Sequence, residues 1–285
     1  MTKRRWIVAL TIIALVATVS GCSLKKKPTA ELLNGVGPAM ADVTSAKVKI
    51  NGTMEQGDQG KAAVTFNGTV GLDDNRQTAA DADFTYQLTA MGDVMTLAGQ
   101  LKSLAGKTYL HLTEVPQVGI FQLMNFGDKW VALPPSTRQA MTADQEDQLR
   151  ALLAERPLFV VKEDLGSAKI NGQKTRHLLV ALDQEAVVQF AVDWAAIMGQ
   201  AAPDVAKLTD SVNNFNQNGR LELWLGEDDS RLYQLTVTGT VPSNDSIVTA
   251  DLTIMIDDYN QPLAVTPPNG DEVVNLDSLF PNLAP

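Results

Sequence analysis

The feature that most constrains this chain is a two-residue hydrophobic period that returns along its length. Ala46, Val48, Ile50, Gly52 and Met54 alternate with Lys47, Lys49, Asn51, Thr53 and Glu55. Side chains on a strand point to opposite faces in turn, so this segment has one apolar face and one wet face. Ala62, Val64, Phe66, Gly68 and Val70 repeat the pattern, and so do Ala80, Ala82, Phe84, Tyr86 and Leu88. Turn residues separate the runs at Gly57-Asp58-Gln59-Gly60 and Asp73-Asp74-Asn75. The last such run is the most regular: Val248, Ala250, Leu252, Ile254 and Ile256 alternate with Thr249, Asp251, Thr253, Met255 and Asp257.

Further strands are predicted near 94–104, 107–114, 128–133, 158–169, 173–182, 219–226 and 231–241. Asn171-Gly172 marks a hairpin between two of them. Helices are predicted over about 30–43, 142–155 and 183–198. Thr142 and Gln145 have the spacing of a capping box, and Pro157 stops that helix. Val187, Phe190, Ala191, Trp194 and Met198 form one stripe of the third. Gly35, Gly37 and Pro38 weaken the first helix, and 201–217 reads as a weaker helix or a loop. The tail after Tyr259 is expected to lie across the surface.

About eleven strands and two or three helices make an α+β fold. A one-sided antiparallel sheet this long must curl and cover its apolar face. The expectation is a strongly curved half-barrel with helices covering a hydrophobic cavity. Its apolar face carries many small residues, among them Ala46, Gly52, Ala62, Gly68, Ala80, Ala82 and Ala250. They either leave a void, which is a ligand site by default, or let the helices pack closely. On the first reading the cavity candidates are Val48, Ile50, Val64, Phe66, Ala82, Phe84, Tyr86, Leu110, Leu112, Trp130, Phe190, Trp194, Ala250, Leu252 and Ile254. Trp130, with Phe121, Leu123, Met124 and Phe126 upstream, reads either as a lid at the cavity mouth or as core.

The N-terminus bears on location. Lys3, Arg4 and Arg5 precede an apolar run from Trp6 to Val19, too short for a comfortable membrane span and suited to a secretory signal. Val19-Ser20-Gly21-Cys22 ends it with the one cysteine of the chain. Residues 1–21 are expected to be a lipoprotein signal peptide, 22–29 an acylated tether with Cys22 as the lipid anchor, and 30–285 a single domain. Two acyl chains hold a protein stably where one is marginal. Lys25, Lys26 and Lys27 either space the fold from the bilayer or attract anionic headgroups.

Several classes are disfavoured. A net charge of −10 opposes a broad nucleic-acid interface. A single Cys permits no intrachain disulfide, and two His leave little for a zinc site. No nucleophile elbow, zinc-protease helix, P-loop or dinucleotide fingerprint is present, so neither an enzyme nor a cofactor is expected. His111 and His177 each sit beside a leucine in a strand and should point to the wet face. Glu227-Asp228-Asp229-Ser230 reads as a solvated turn without EF-hand spacing.

Four features together resemble the LolA/LppX-type lipid-carrier superfamily, in particular the LppX/LprG-like lipoproteins. They are the lipobox Cys22; the Ala39-Met40-Ala41-Asp42-Val43-Thr44-Ser45-Ala46 approach to the first strand; Lys129-Trp130; and Asp257-Asp258-Tyr259-Asn260-Gln261-Pro262 before Pro267. The resemblance implies a half-barrel whose helices plug a hydrophobic cavity, a lipid or acylated ligand, and no catalytic residues. It also implies a place at the cell membrane, lipid-anchored on the extracytoplasmic face, with an envelope transport partner. The alternative is a non-enzymatic surface lipoprotein acting as a protein-interaction module.

Overall fold

Twelve strands join in one sheet, in the order β12-β6-β5-β4-β3-β2-β1-β11-β10-β9-β8-β7. In this computed structural model the described residues are 27–57, 60–73, 78–90, 92–116, 128–134, 142–155, 157–243 and 246–275. Cys22 and the segment holding Phe121, Leu123, Met124 and Phe126 lie outside them. The strands are β1 (Ser45–Gln56), β2 (Gly60–Leu72), β3 (Thr78–Ala90), β4 (Asp93–Leu104), β5 (Lys107–Glu114), β6 (Trp130–Ala132), β7 (Phe159–Ile170), β8 (Gln173–Leu182), β9 (Gly219–Gly226), β10 (Leu232–Ser243), β11 (Ser246–Asp257) and β12 (Val273–Asn275).

The sheet is two antiparallel meanders. A first wing, β1–β6, and a second, β7–β11, are joined by pairing of β1 with β11. The whole is a curved, open half-barrel, as the alternation implied. Two features depart from expectation. A twelfth strand exists, and its pairing with β6 is parallel. Three residues in a Pro- and Asn-rich tail carry too little pattern to announce a strand.

Curvature has a visible cause. A Cβ on Gly68 would lie 2.2 Å from the Cβ of its cross-strand partner Ala82. Facing Cβ atoms normally stand about 4.5–5.5 Å apart, so the strands converge on the apolar side here and only glycine fits. Asn171 (φ 49°) and Gly172 (φ 82°) supply the paired left-handed residues of the β7–β8 turn.

Four helices pack on the apolar face of the second wing or on one another. These are α1 (Thr29–Ala41), α2 (Ala143–Glu155), α3 (Gln184–Ile197) and α4 (Val205–Asn218). Leu32 and Leu33 of α1 bury against Leu178, Val180, Leu221, Leu223 and Leu225, and Phe215 of α4 packs on the same cluster. The glycines that weakened α1 are contact points: a Cβ on Gly37 would fall 2.1 Å from the Leu153 carbonyl of α2. The capping box of α2 forms, Gln145 N–H donating to Thr142 Oγ1 (3.2 Å) and Thr142 N–H to Gln145 Oε1 (2.9 Å). Arg150 Nη1 donates to Ala41 O (2.5 Å), filling an orphan carbonyl at the end of α1. Of the segment 201–217 read as a weak helix or loop, the part from Val205 on is the helix α4. Asp204 caps it by accepting from Lys207 N–H (3.1 Å), and Val212 is buried beneath it.

The Asp257–Pro262 motif is a latch. Asp258 (φ 50°) and Asn260 (φ 57°) turn the chain, and Asn260 Oδ1 accepts from Thr44 N–H (2.8 Å). Asn260 N–H donates to Ser45 O (2.8 Å) and Ser45 Oγ to Gln261 O (2.6 Å). Tyr259 is buried edge-on against Tyr233 at 5.5 Å, and its hydroxyl donates to Leu232 O. Burial, then a hydrogen bond to Asp229, pushes the Tyr233 phenol up to about 12; burial raises Tyr259 as well. Beyond the latch the tail skirts the first wing on its outer side, as expected of it. Lys102 Nζ donates to Thr266 O (3.2 Å) and Lys129 Nζ to Asp271 O (3.0 Å).

Candidate functional site

Cross-strand partners share a face, so the register defines the apolar surface row by row. One row runs Val180–Leu221–Val237–Leu252–Gly52–Val64–Tyr86–Leu97. The next runs Leu178–Leu223–Leu235–Ile254–Ile50–Phe66–Phe84–Gly99–Leu112. A third carries Ile256, Val48, Gly68, Ala82, Leu101, Leu110 and Val131. Twelve of the cavity candidates, from Val48 to Ile254 on the sheet, therefore lie on one continuous face: Ala250 joins it opposite Met54.

Cover is uneven. In the second wing Val180 and Leu221 are 2% and 4% exposed, beneath α1 and α4. In the first wing Val64 and Tyr86, on the same row, are 40% and 41% exposed, and Met54 is 53% exposed. Met54, Gly60, Ala62, Leu88 and Val248 line an apolar recess of about 180 Å³ where β1 ends. Toward the start of β1 the face closes: Ala46, Ala80 and Ala82 are buried. The small residues thus play two parts. Near Gly68 and Ala82 they admit converging strands and leave no space, whereas the open surface lies by Met54, Val64 and Tyr86. Met54, Leu88, Met95 and Leu97 belong to this surface too: parity in the alternating runs already placed Met54 and Leu88 there, and pairing of β4 with β3 adds Met95 and Leu97.

Trp130 is a correction. Val131, its neighbour, points to the apolar face, so Trp130 points to the outer one. There it stacks on His111 at 5.2 Å with the Lys102 ammonium 5.1 Å from its ring. A strand of three residues gives no alternation from which to read its facing. Phe190 and Trp194, 6.1 Å apart, lie on α3, which packs on α2 and α4. With Ala191, Ala195 and Pro203 they border a separate apolar recess of about 400 Å³.

Both histidines lie on the outer face of the sheet. His111 Nε2 bonds Asp128 Oδ1 (2.9 Å); His177 stacks on Trp224 at 4.0 Å and bonds Glu222 Oε2 (2.5 Å). Burial pushes the Glu222 carboxyl up, but hydrogen bonds from Arg220 and His177 outweigh it and hold it below its ordinary value. In the acidic turn Asp229 accepts from Arg231 N–H (3.1 Å) and the Tyr233 hydroxyl (2.8 Å), and Ser230 is buried rather than solvated. Among the described residues no group of three or more His, Cys, Asp or Glu could hold a metal ion. No described helix is long and apolar enough to cross a membrane.

Fold and face together define an open half-barrel with one apolar wall, half of it covered. No family model matches the chain, and no curated protein matches it. Among solved structures it is similar to LprF from Mycobacterium bovis, at 14% identity and a TM-score of 0.47 over 86% of this chain and 99% of that one. It is similar to the lipoprotein LppX from Mycobacterium tuberculosis at 13% identity and a TM-score of 0.38, over 84% and 100%. A LolA superfamily protein from Nitrosomonas europaea follows at 9% identity and a TM-score of 0.21, over 84% and 94%. LppX and the LolA superfamily are the names that the sequence motifs resemble.

Proposed function

We propose that this protein is a non-enzymatic lipid carrier of the cell envelope, held at the membrane by acylation of Cys22, that lodges acyl chains on the open part of its apolar face and passes them on. One observation carries the reading. A single row of paired residues, aliphatic but for Gly52 and Tyr86, passes from fully covered at Val180 to open at Val64 and Tyr86. Monomeric proteins seldom expose a contiguous apolar surface that no partner uses. An acyl chain moved from a bilayer to such a face exchanges one dry setting for another, whereas water would cost about 0.8 kcal/mol per methylene. Carriage then needs neither bond chemistry nor a nucleotide.

Residues 23–285, which include every described residue, are the material for the test. Native mass spectrometry is expected to find co-purified lipid, and a fluorescent fatty acid is expected to gain emission on binding. Bare polypeptide together with no uptake would overturn the proposal. The recess by Phe190 and Trp194 favours a second reading, a protein-interaction module. That reading expects an empty protein and a stable partner lost on Trp194→Ala.

A further inference from the structure

The open wing holds one polar side-chain group within its rows. Inward positions are Ala46, Val48, Ile50, Gly52 and Met54 on β1, and Ala62, Val64, Phe66, Gly68 and Val70 on β2. On β3 and β4 they are Ala80, Ala82, Phe84, Tyr86 and Leu88, with Met95, Leu97, Gly99 and Leu101. Polar inward residues otherwise stand at strand ends, where Ser103 and Thr108 pair with each other. Tyr86 alone interrupts the hydrocarbon, flanked by Val64 on β2 and Leu97 on β4. It is 41% exposed, and its hydroxyl has no hydrogen-bond partner among the described residues.

Charge is excluded from the same surface. Lys47, Lys49, Lys61 and Lys102 all alternate onto the outer face. The one inward ionisable side chain of these strands, Asp93 at the rim, is itself an acid. A carboxylate or phosphate drawn into the rows would lose its hydration and meet no cation on the described strands β1–β4. An alkyl chain without polar atoms would leave the phenol idle. The group that satisfies a lone O–H donor in such a setting is an uncharged acceptor attached to a hydrocarbon chain.

We infer that Tyr86 selects and orients the occupant of the open wing by donating its hydroxyl hydrogen to the carbonyl oxygen of an uncharged acyl ester. The inference rests on the lipid-carrier reading and adds to it a specificity residue and a ligand class. Displacement of a bound fluorescent acyl probe tests it, with methyl oleate, 9-octadecene and oleate as competitors. Tyr86→Phe keeps the ring and removes the donor. It is expected to weaken methyl oleate about 2- to 10-fold, the range of one net hydrogen bond, and to leave 9-octadecene, which has no acceptor, unchanged. In the unsubstituted protein oleate is expected to compete less well than its methyl ester. Tyr86→Phe weakening ester and hydrocarbon alike, or neither, overturns the inference, as does oleate competing best. Should the unsubstituted protein bind neither the probe nor any competitor, the lipid-carrier reading itself falls, an outcome distinct from binding without discrimination.

Discussion

The two wings present the same kind of surface and treat it differently. Leu178 and Leu223 in the second wing are 0% and 1% exposed; Val64 and Tyr86 in the first stand open. Pairing, alternation and side-chain chemistry match across the join at β1 and β11. The difference lies in what sits above, for α1 and α4 pack on the second wing. An apolar face thus becomes core or working surface according to its cover, and the strand itself carries no mark of which.

That contrast can be broken. Leu223→Ala is expected to lower unfolding free energy by about 2–5 kcal/mol in urea titrations, because the helices above cannot follow the lost volume. Val64→Ala is expected to lower it by less than about 1 kcal/mol. Equal losses would mean that the first wing is as filled as the second. Gly68→Val is next, at about 1–3 kcal/mol, since Ala82 and the Asp81 carbonyl occupy the space it needs. No loss there would remove convergence as the reason for curvature.

Asn260→Ala tests the latch between the wings. It deletes the acceptor for Thr44 N–H at a left-handed position and is expected to cost about 1–2 kcal/mol. The smallest effect concerns the edge of the second wing. Burial pushes the Asp164 carboxyl up, but hydrogen bonds from Arg176, Thr29 and the Gly166 N–H outweigh it and hold it below its ordinary value. A lowered carboxylate stabilises the fold above the unfolded pKa of about 3.9 and stops doing so as pH falls through the folded value. Asp164→Asn is expected to cost no more than about 1 kcal/mol at pH 7, given its exposure, and nothing in strong acid. A gap that persisted in strong acid would show that charge is not the cause.

Much of this was legible beforehand because strict alternation is self-announcing. β5, β8 and β9 have the bounds that the pattern gave. Parity alone placed His111 and His177 on the outer face. What escaped had physical reasons. Trp130 stands in a strand too short to show a period, and β12 takes its order from a neighbour rather than from its own residues. Gly35 and Gly37 look like helix breakers until Ser230 and Leu153 are seen against them. The candidate surface was legible as a set of residues and not as an open place. Ala82 and Tyr86 share one alternating run, yet the first is sealed by converging strands and the second is bare.

The two margins of the sheet have a consequence of their own. A ribbon that does not close on itself carries two unsatisfied rows of amides, each an invitation to another copy. Here one margin dwindles to the three residues of β12, laid alongside β6. The other, β7, is offset twice, between Val161 and Glu163 and between Asp164 and Gly166, and studded with Lys162, Glu163, Asp164 and Lys169. Neither offers a straight template, so the molecule can keep its gutter shape without stacking into fibres.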